Sequence, residues 1–182
     1  YFYSKYLDWC NDRAKEANSA LHFAMQMPLR LASACLPMAR QAVLDPESFT
    51  ETTADGAGTS TAPTLAPDRE LVAAAEALSA NDDSKFDDLL ATLESLHEQG
   101  RQALLFTHSR KALSYLQGRL ADRYRVAALH GGVDPAARLD VMADFRAGAY
   151  DLVLANRVAS EGLDFEFCSA VINYDLPWNP ME

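Results

Sequence analysis

The stretch Ala103-Leu104-Leu105-Phe106-Thr107-His108-Ser109-Arg110 sets four apolar residues directly against four polar ones. An unbroken apolar run of that length reads as a short strand buried on both faces, and the polar cluster as the loop at its carboxyl end. Leu113, Leu116 and Leu120 follow at helical spacing, which predicts a helix over 110–121. A second strand is expected over 124–129. Asp134 then stands as N-cap before Pro135, with Val141, Met142 and Phe145 on an inner helical face and Gly148 as the stop. Strands over 151–155 (Asp-Leu-Val-Leu-Ala) and 170–174 (Ala-Val-Ile-Asn-Tyr) complete the series. Strands alternating with helices predict right-handed crossovers and a parallel sheet covered on both faces, an α/β architecture.

Upstream the pattern changes. Ser84 and Asp87 have capping-box spacing ahead of Phe86, Leu89, Leu90, Leu93 and Leu96, with Gly100 closing that helix. An Ala-rich helix is expected over 69–80. From Asp45 to Asp68, Pro46, Pro63 and Pro67 punctuate a Thr/Ala/Gly/Ser stretch with almost nothing to bury, which predicts a flexible linker or surface loop. Residues 1–44 read as helical, from Tyr6, Trp9, Leu21 and Met25, with a break at Pro28. The expected division is therefore a helical segment (1–44), an acidic linker with a short helix (45–82) and an α/β part (83–182).

Composition narrows the classes. The chain has 182 residues, 49% apolar and 23% charged, as globular proteins do. Its longest apolar run, Leu71 to Ala75, is too short for a membrane helix. Cys10, Cys35 and Cys168 are odd in number and contain no C-x-x-C, which points to a reducing cytosol and against a zinc site. The net charge of −10 is unevenly spread. Residues 51–100 carry eleven acids and two bases, whereas 101–150 carry eight bases and four acids. The basic block falls in the best-patterned segment, and local field rather than total charge steers a polyanion. Starting at Tyr1 and ending inside a motif, the chain reads as a fragment.

Ligands of a parallel α/β sheet sit beyond the carboxyl ends of its strands. That rule nominates Thr107 to Arg110, His130-Gly131-Gly132, and Asn156 to Asp164. Each offers hydroxyls, backbone N–H groups beside glycine, or arginines near a helix start, which suit phosphate.

In this order and spacing, Phe106-Thr107, Leu129-His130-Gly131-Gly132, Arg138, Phe145 and Leu152 to Asp164 resemble the second RecA-like lobe of superfamily-two helicase-like ATPases. Ser160-Glu161-Gly162-Leu163-Asp164-Phe165-Glu166-Phe167-Cys168 and Asn173-Tyr174-Asp175-Leu176-Pro177-Trp178-Asn179-Pro180-Met181 look like motif V and its extension in Swi/Snf-type DNA translocases of the RapA-like branch. The resemblance covers 83–182 and implies an incomplete helicase C-terminal lobe with a RecA-like parallel sheet. Residues 1–44 are only loosely similar to the helical segment between the lobes.

The resemblance also implies roles. Gly162 and Asp164 match positions that approach the ribose and phosphates of ATP. Thr107, Ser109 and Asn156 match positions that touch the nucleic-acid backbone, His130 and Gly131 a loop bordering the strand track, and Trp178 and Asn179 an extension that follows the DNA groove. Simpler readings stand beside these: a turn glycine at Gly162, a turn cap at Asp164, packing at Trp178, a satisfied loop histidine at His130, and a carboxylate partner for Arg138. Asn156 stands where the family usually has Thr or Ser, and Ala159 where it has Gly.

The chain has no Gly-Lys dipeptide and no Asp-Glu pair, so neither a P-loop nor the metal-holding carboxylate pair is present. The resemblance therefore implies Mg²⁺ held by a first RecA-like lobe of the same parent chain, with ATP in the cleft between lobes and double-stranded DNA as partner. No membrane partner is expected, and the fragment alone is expected to be inactive. The setting implied is the cytoplasm, at the nucleoid of a bacterium if the RapA-like likeness holds. The competing expectations are a degenerate, non-catalytic nucleic-acid or protein binding module and a flavodoxin-like small-molecule enzyme.

Overall fold

The structure is a computed structural model that describes residues 1–16, 32–45, 51–52, 59–60, 67–79, 82–156 and 162–175. The chain divides into two compact units, one running to Lys85 and the other starting at Phe86.

The first unit is built on three helices, α1 (Phe2–Glu16), α2 (Leu36–Leu44) and α3 (Arg69–Ala77). Phe2, Tyr6 and Cys10 recur one helical turn apart on α1, and they are buried with Ala39 and Val43 of α2 and Leu71, Ala74 and Ala75 of α3. Burial pushes the Cys10 thiol up to about 12, so it packs as a small apolar side chain. Asp68 caps α3 by accepting from Leu71 N at 2.7 Å. At the other end of α3 the Arg40 side chain donates to the carbonyls of Ala75 and Leu78 at 2.9 and 2.8 Å, groups a helix end leaves unsatisfied. The expected break at Pro28 lies outside the described residues. Within the expected linker, β1 (Glu51–Thr52) and β2 (Thr59–Ser60) pair antiparallel in a short ladder.

The second unit holds α4 (Ser84–Glu98), β3 (Ala103–Phe106), α5 (Arg110–Leu120), β4 (Val126–Leu129), α6 (Pro135–Arg146), β5 (Leu152–Ala155) and β6 (Val171–Asn173). Helix α4 already includes Ser84, so Asp83 rather than Ser84 stands at the position before its first residue. The four strands form one parallel sheet in the order β4-β5-β3-β6.

Burial follows this order. Central β5 is buried at every residue, while β4 at one edge alternates between buried and half-buried. Alternate strand residues face opposite layers. Ala103, Leu105, Leu152 and Leu154 pack with Phe86, Leu89 and Leu93 of α4 and Leu113, Leu116 and Leu120 of α5. Leu104, Leu129, Val153 and Ala155 pack with Met142 and Phe145 of α6 on the other face. The result is helix, sheet, helix, the layered architecture of a RecA-like lobe. Gly148 ends α6 at φ 83°, where Ala149 N donates to Asp144 O at 2.9 Å, a cap that a residue bearing Cβ would strain. Gln102 ties that end to the sheet by donating to Phe145 O and Tyr150 O at 2.6 and 2.7 Å.

The register decides what meets at the sheet's end. Phe106 is level with Ala155 and Asn173, and Ala155 with Leu129. The next residue of each strand, His130, Asn156, Thr107 and Tyr174, therefore stands in one row across the carboxyl edge. The ladder continues through that row: Asn156 N donates to Leu129 O, Thr107 N to Ala155 O and Tyr174 N to Phe106 O, at 3.0, 3.0 and 2.9 Å.

Candidate nucleotide and nucleic-acid interface

Of the residues nominated from sequence, Thr107, Ser109, His130, Gly131, Asn156, Gly162 and Asp164 are described, whereas Trp178 and Asn179 lie outside the described residues. The first five lie in or just beyond the row at the sheet's carboxyl edge, in the loops after β3, β4 and β5.

The loop after β3 turns inward before it turns outward. Thr107 is buried at 2% exposure, and its hydroxyl donates to Asp175 Oδ2 at 2.9 Å. His108 N donates to the other oxygen of Asp175 at 2.8 Å. Ser109 is the N-cap of α5, its Oγ accepting from Ala112 N at 3.2 Å. Helix α5 thus starts at the sheet edge, where its N-terminal partial charge favours an anion. Asn156 is also buried, at 2%.

The loop after β4 is tightly self-bonded. Gly132 N donates to His130 Nδ1 at 3.1 Å, so the imidazole proton sits on Nε2. Among the described residues Arg138 has no carboxylate partner. It reaches back from α6 and donates through Nε to Val133 O at 2.9 Å and through Nη2 to Gly131 O at 3.3 Å. A Cβ on Gly132 would stand 3.0 Å from Arg110 Nη2 and 3.2 Å from the His130 ring, so glycine permits this approach. Burial first, then the nearby Arg110 and Arg138 charges, lower the His130 pKa below its ordinary 6.5. At neutral pH the loop therefore presents an uncharged imidazole between two guanidinium groups. Arg110 lies in the loop nominated from sequence, Arg138 among the residues that carry the resemblance, and both belong to the basic block in 101–150.

The loop before β6 carries the other pair. Gly162 adopts φ 80°, in the left-handed region that disfavours side chains, and space for a Cβ is open there, so conformation rather than crowding calls for glycine. Asp164 Oδ1 accepts from Glu166 N at 2.9 Å, the turn-capping role, while Oδ2 faces Arg146 Nη2 at 3.4 Å. The Asp164 side chain is 63% exposed and the Arg146 guanidinium lies 4.7 Å from the centre of the Phe167 ring. An exposed carboxylate can accept from ribose hydroxyls, and an exposed guanidinium beside it suits phosphate. These residues fit a nucleotide. Among the described residues no group of three His, Cys, Asp or Glu could hold a metal ion, and no helix is long and apolar enough to cross a membrane.

A helix-covered parallel sheet with three polar loops at its carboxyl edge defines an α/β lobe with a ligand-binding edge, and comparison gives its family. Residues 84–182 match the helicase conserved C-terminal domain, and the chain belongs to that family. It is 38% identical over 98 residues to an ATP-dependent RNA helicase eIF4A of Phaeosphaeria nodorum, covering 52% of this chain and 25% of that protein. The likeness to the eIF4A of Neurospora crassa is 38% over 93 residues, 50% of this chain and 23% of that one. The chain thus spans about a quarter of the length of these curated relatives. The fold is similar to that of the Pyrococcus furiosus Hef helicase domain, with a TM-score of 0.59 at 18% identity, covering 91% of this chain and 37% of that one.

Proposed function

We propose that this chain supplies the second lobe of an ATP-dependent nucleic-acid motor. It closes the ATP cleft through Gly162 and Asp164 and grips a nucleic-acid backbone through the loops after β3 and β4. The observation that carries this reading is the single row made by His130, Asn156 and Thr107, with Arg110 and Arg138 beside it. It brings a helix N-terminus and two guanidinium groups to one sheet edge, an arrangement suited to successive phosphates.

ATP with Mg²⁺ supplies the phosphoryl-transfer chemistry, Mg²⁺ being held by a first lobe. This chain's part is to orient the ribose with Asp164, to offer backbone at Gly162, and to bring Arg146 beside developing negative charge. Repeated closing and opening of the cleft then moves the grip along the polymer.

Two polymers fit. Double-stranded DNA is supported by the likeness of Ser160 to Cys168 and Asn173 to Met181 to the RapA-like branch of Swi/Snf-type translocases, in which Trp178 and Asn179 follow the groove. RNA is supported by the 38% identity to proteins named as RNA helicases. Steady-state ATP turnover of the whole protein, measured with duplex DNA and with single-stranded RNA, separates them. Stimulation by duplex DNA that is lost in Trp178→Ala supports the first; stimulation by RNA that Trp178→Ala leaves intact supports the second. Tight binding of either polymer with no ATP turnover would replace both with a degenerate binding module, a reading that Asn156 and Ala159 favour. A reducing cytosol suits all three readings.

A further inference from the structure

We infer that Asp175 and Thr107 form a positioning pair that ties the end of β6 to the loop after β3 and so sets the direction of the nucleic-acid grip. The inference rests on the function proposed above and adds two residues acting through others.

Thr107 comes directly after β3 and is buried, and a buried hydroxyl needs a partner. It donates to one oxygen of Asp175, while the next residue, His108, donates its backbone N–H to the other. Two consecutive donors on one carboxylate fix both the position and the rotation of that piece of backbone. The carboxylate is itself anchored, because Tyr174 is 5% exposed and its N–H extends the ladder to Phe106 O. The loop after β3 is thereby fastened to a neighbouring strand as well as to its own.

The consequence of the pair lies in the residues next along the chain. Ser109 caps α5, and Arg110 next reaches the His130-Gly132 loop. A tilt at His108 therefore moves the helix N-terminus and a guanidinium together, and displacement of such groups by about 1 Å is enough to weaken a positioned interaction. On the other side Asp175 leads directly into the segment bearing Trp178 and Asn179. One carboxylate thus stands between the two stretches assigned to nucleic acid. Thr107 acts through Asp175 and not by touching phosphate itself.

The test uses the whole protein carrying this chain. Thr107→Val keeps the shape and removes the hydroxyl, and Asp175→Ala removes both acceptors. Thr107→Ser restores the donor. Asp175→Asn satisfies both contacts, its carbonyl accepting from His108 N–H and its NH₂ donating to the Thr107 hydroxyl. Thr107→Val and Asp175→Ala are expected to raise the nucleic-acid concentration for half-maximal ATPase stimulation about tenfold, with turnover at saturation changed less than about twofold. Thr107→Ser and Asp175→Asn stay near wild type, and the Thr107→Val/Asp175→Ala double variant is no worse than Asp175→Ala. Amide exchange at His108 accelerates in Asp175→Ala while 103–106 stays slow. Additive effects, failure of both conservative variants to rescue, or unchanged His108 exchange would overturn the pair. A wild-type ATPase indifferent to every nucleic acid would contradict the proposed function instead, and His108 exchange would still decide whether the pair holds the loop.

Discussion

Arg146, the last residue of α6, places Nη2 3.4 Å from Asp164 Oδ2 in the loop before β6, so the carboxylate nominated for the nucleotide already faces a cation. Both side chains are about 60% exposed, so the pair is screened by water and its share of stability is small, about 0–1 kcal/mol. Its importance lies in orientation.

Arg146→Ala should therefore leave the melting temperature within a few degrees of wild type while raising the KM for ATP in the whole protein by about three- to tenfold. Equilibrium melting and ATP titration at saturating nucleic acid check both halves. An unchanged KM would remove Arg146 and the orientation of Asp164 from the nucleotide site.

Arg125 and Asp151 join the starts of β4 and β5. Arg125 donates to Asp151 through its backbone N at 2.8 Å and through Nη2 at 2.5 Å. This side-chain bond is the main reason the Asp151 pKa falls below its ordinary 3.8. The unfolded chain then binds the proton more readily than the folded one, so the contribution is complete well above 3.8 and lost as pH falls through the folded value. Asp151→Asn should cost about 1 kcal/mol at pH 7, and the difference from wild type should shrink below about pH 4. Denaturant melts across that range test the sign, and a difference that grows toward acid would contradict it.

The parallel sheet was legible because its strands are largely apolar runs bounded by polar residues, and all four appear where expected, the first unchanged and the other three trimmed by one or two residues at their ends. What the sequence concealed was partnership. Nothing local reveals that a threonine donates to a carboxylate 68 residues away, as Thr107 does. Arg138, for which a carboxylate partner was the simpler reading, holds loop carbonyls, because α6 returns it over its own connecting loop. At Gly162 and Asp164 the simpler readings are visible in the geometry. The glycine has the positive φ of a turn and the aspartate caps it, while both stay open to a ligand.

His130 makes the loop after β4 sensitive to acid. Its folded pKa lies below 6.5, so as pH falls through 6.5 the unfolded state takes up a proton that the folded state resists. Stability should decline from there and level off only below the folded value. His130→Asn, whose carbonyl can still accept from Gly132 N–H, should flatten the part of the stability slope below 6.5 that this histidine supplies. A slope identical to wild type would show that His130 titrates as it does in the unfolded chain.

The central claim is that this lobe works only as half of an ATP cleft, and ATP turnover tests it most directly. Purified alone, the chain should hydrolyse no ATP with or without DNA or RNA, since it carries neither a P-loop nor the paired carboxylates. In the whole protein, turnover should rise with added nucleic acid, and Asp164→Ala should lower it. Turnover by the isolated chain, or a whole protein with an intact P-loop that hydrolyses no ATP with any nucleic acid, would contradict the account.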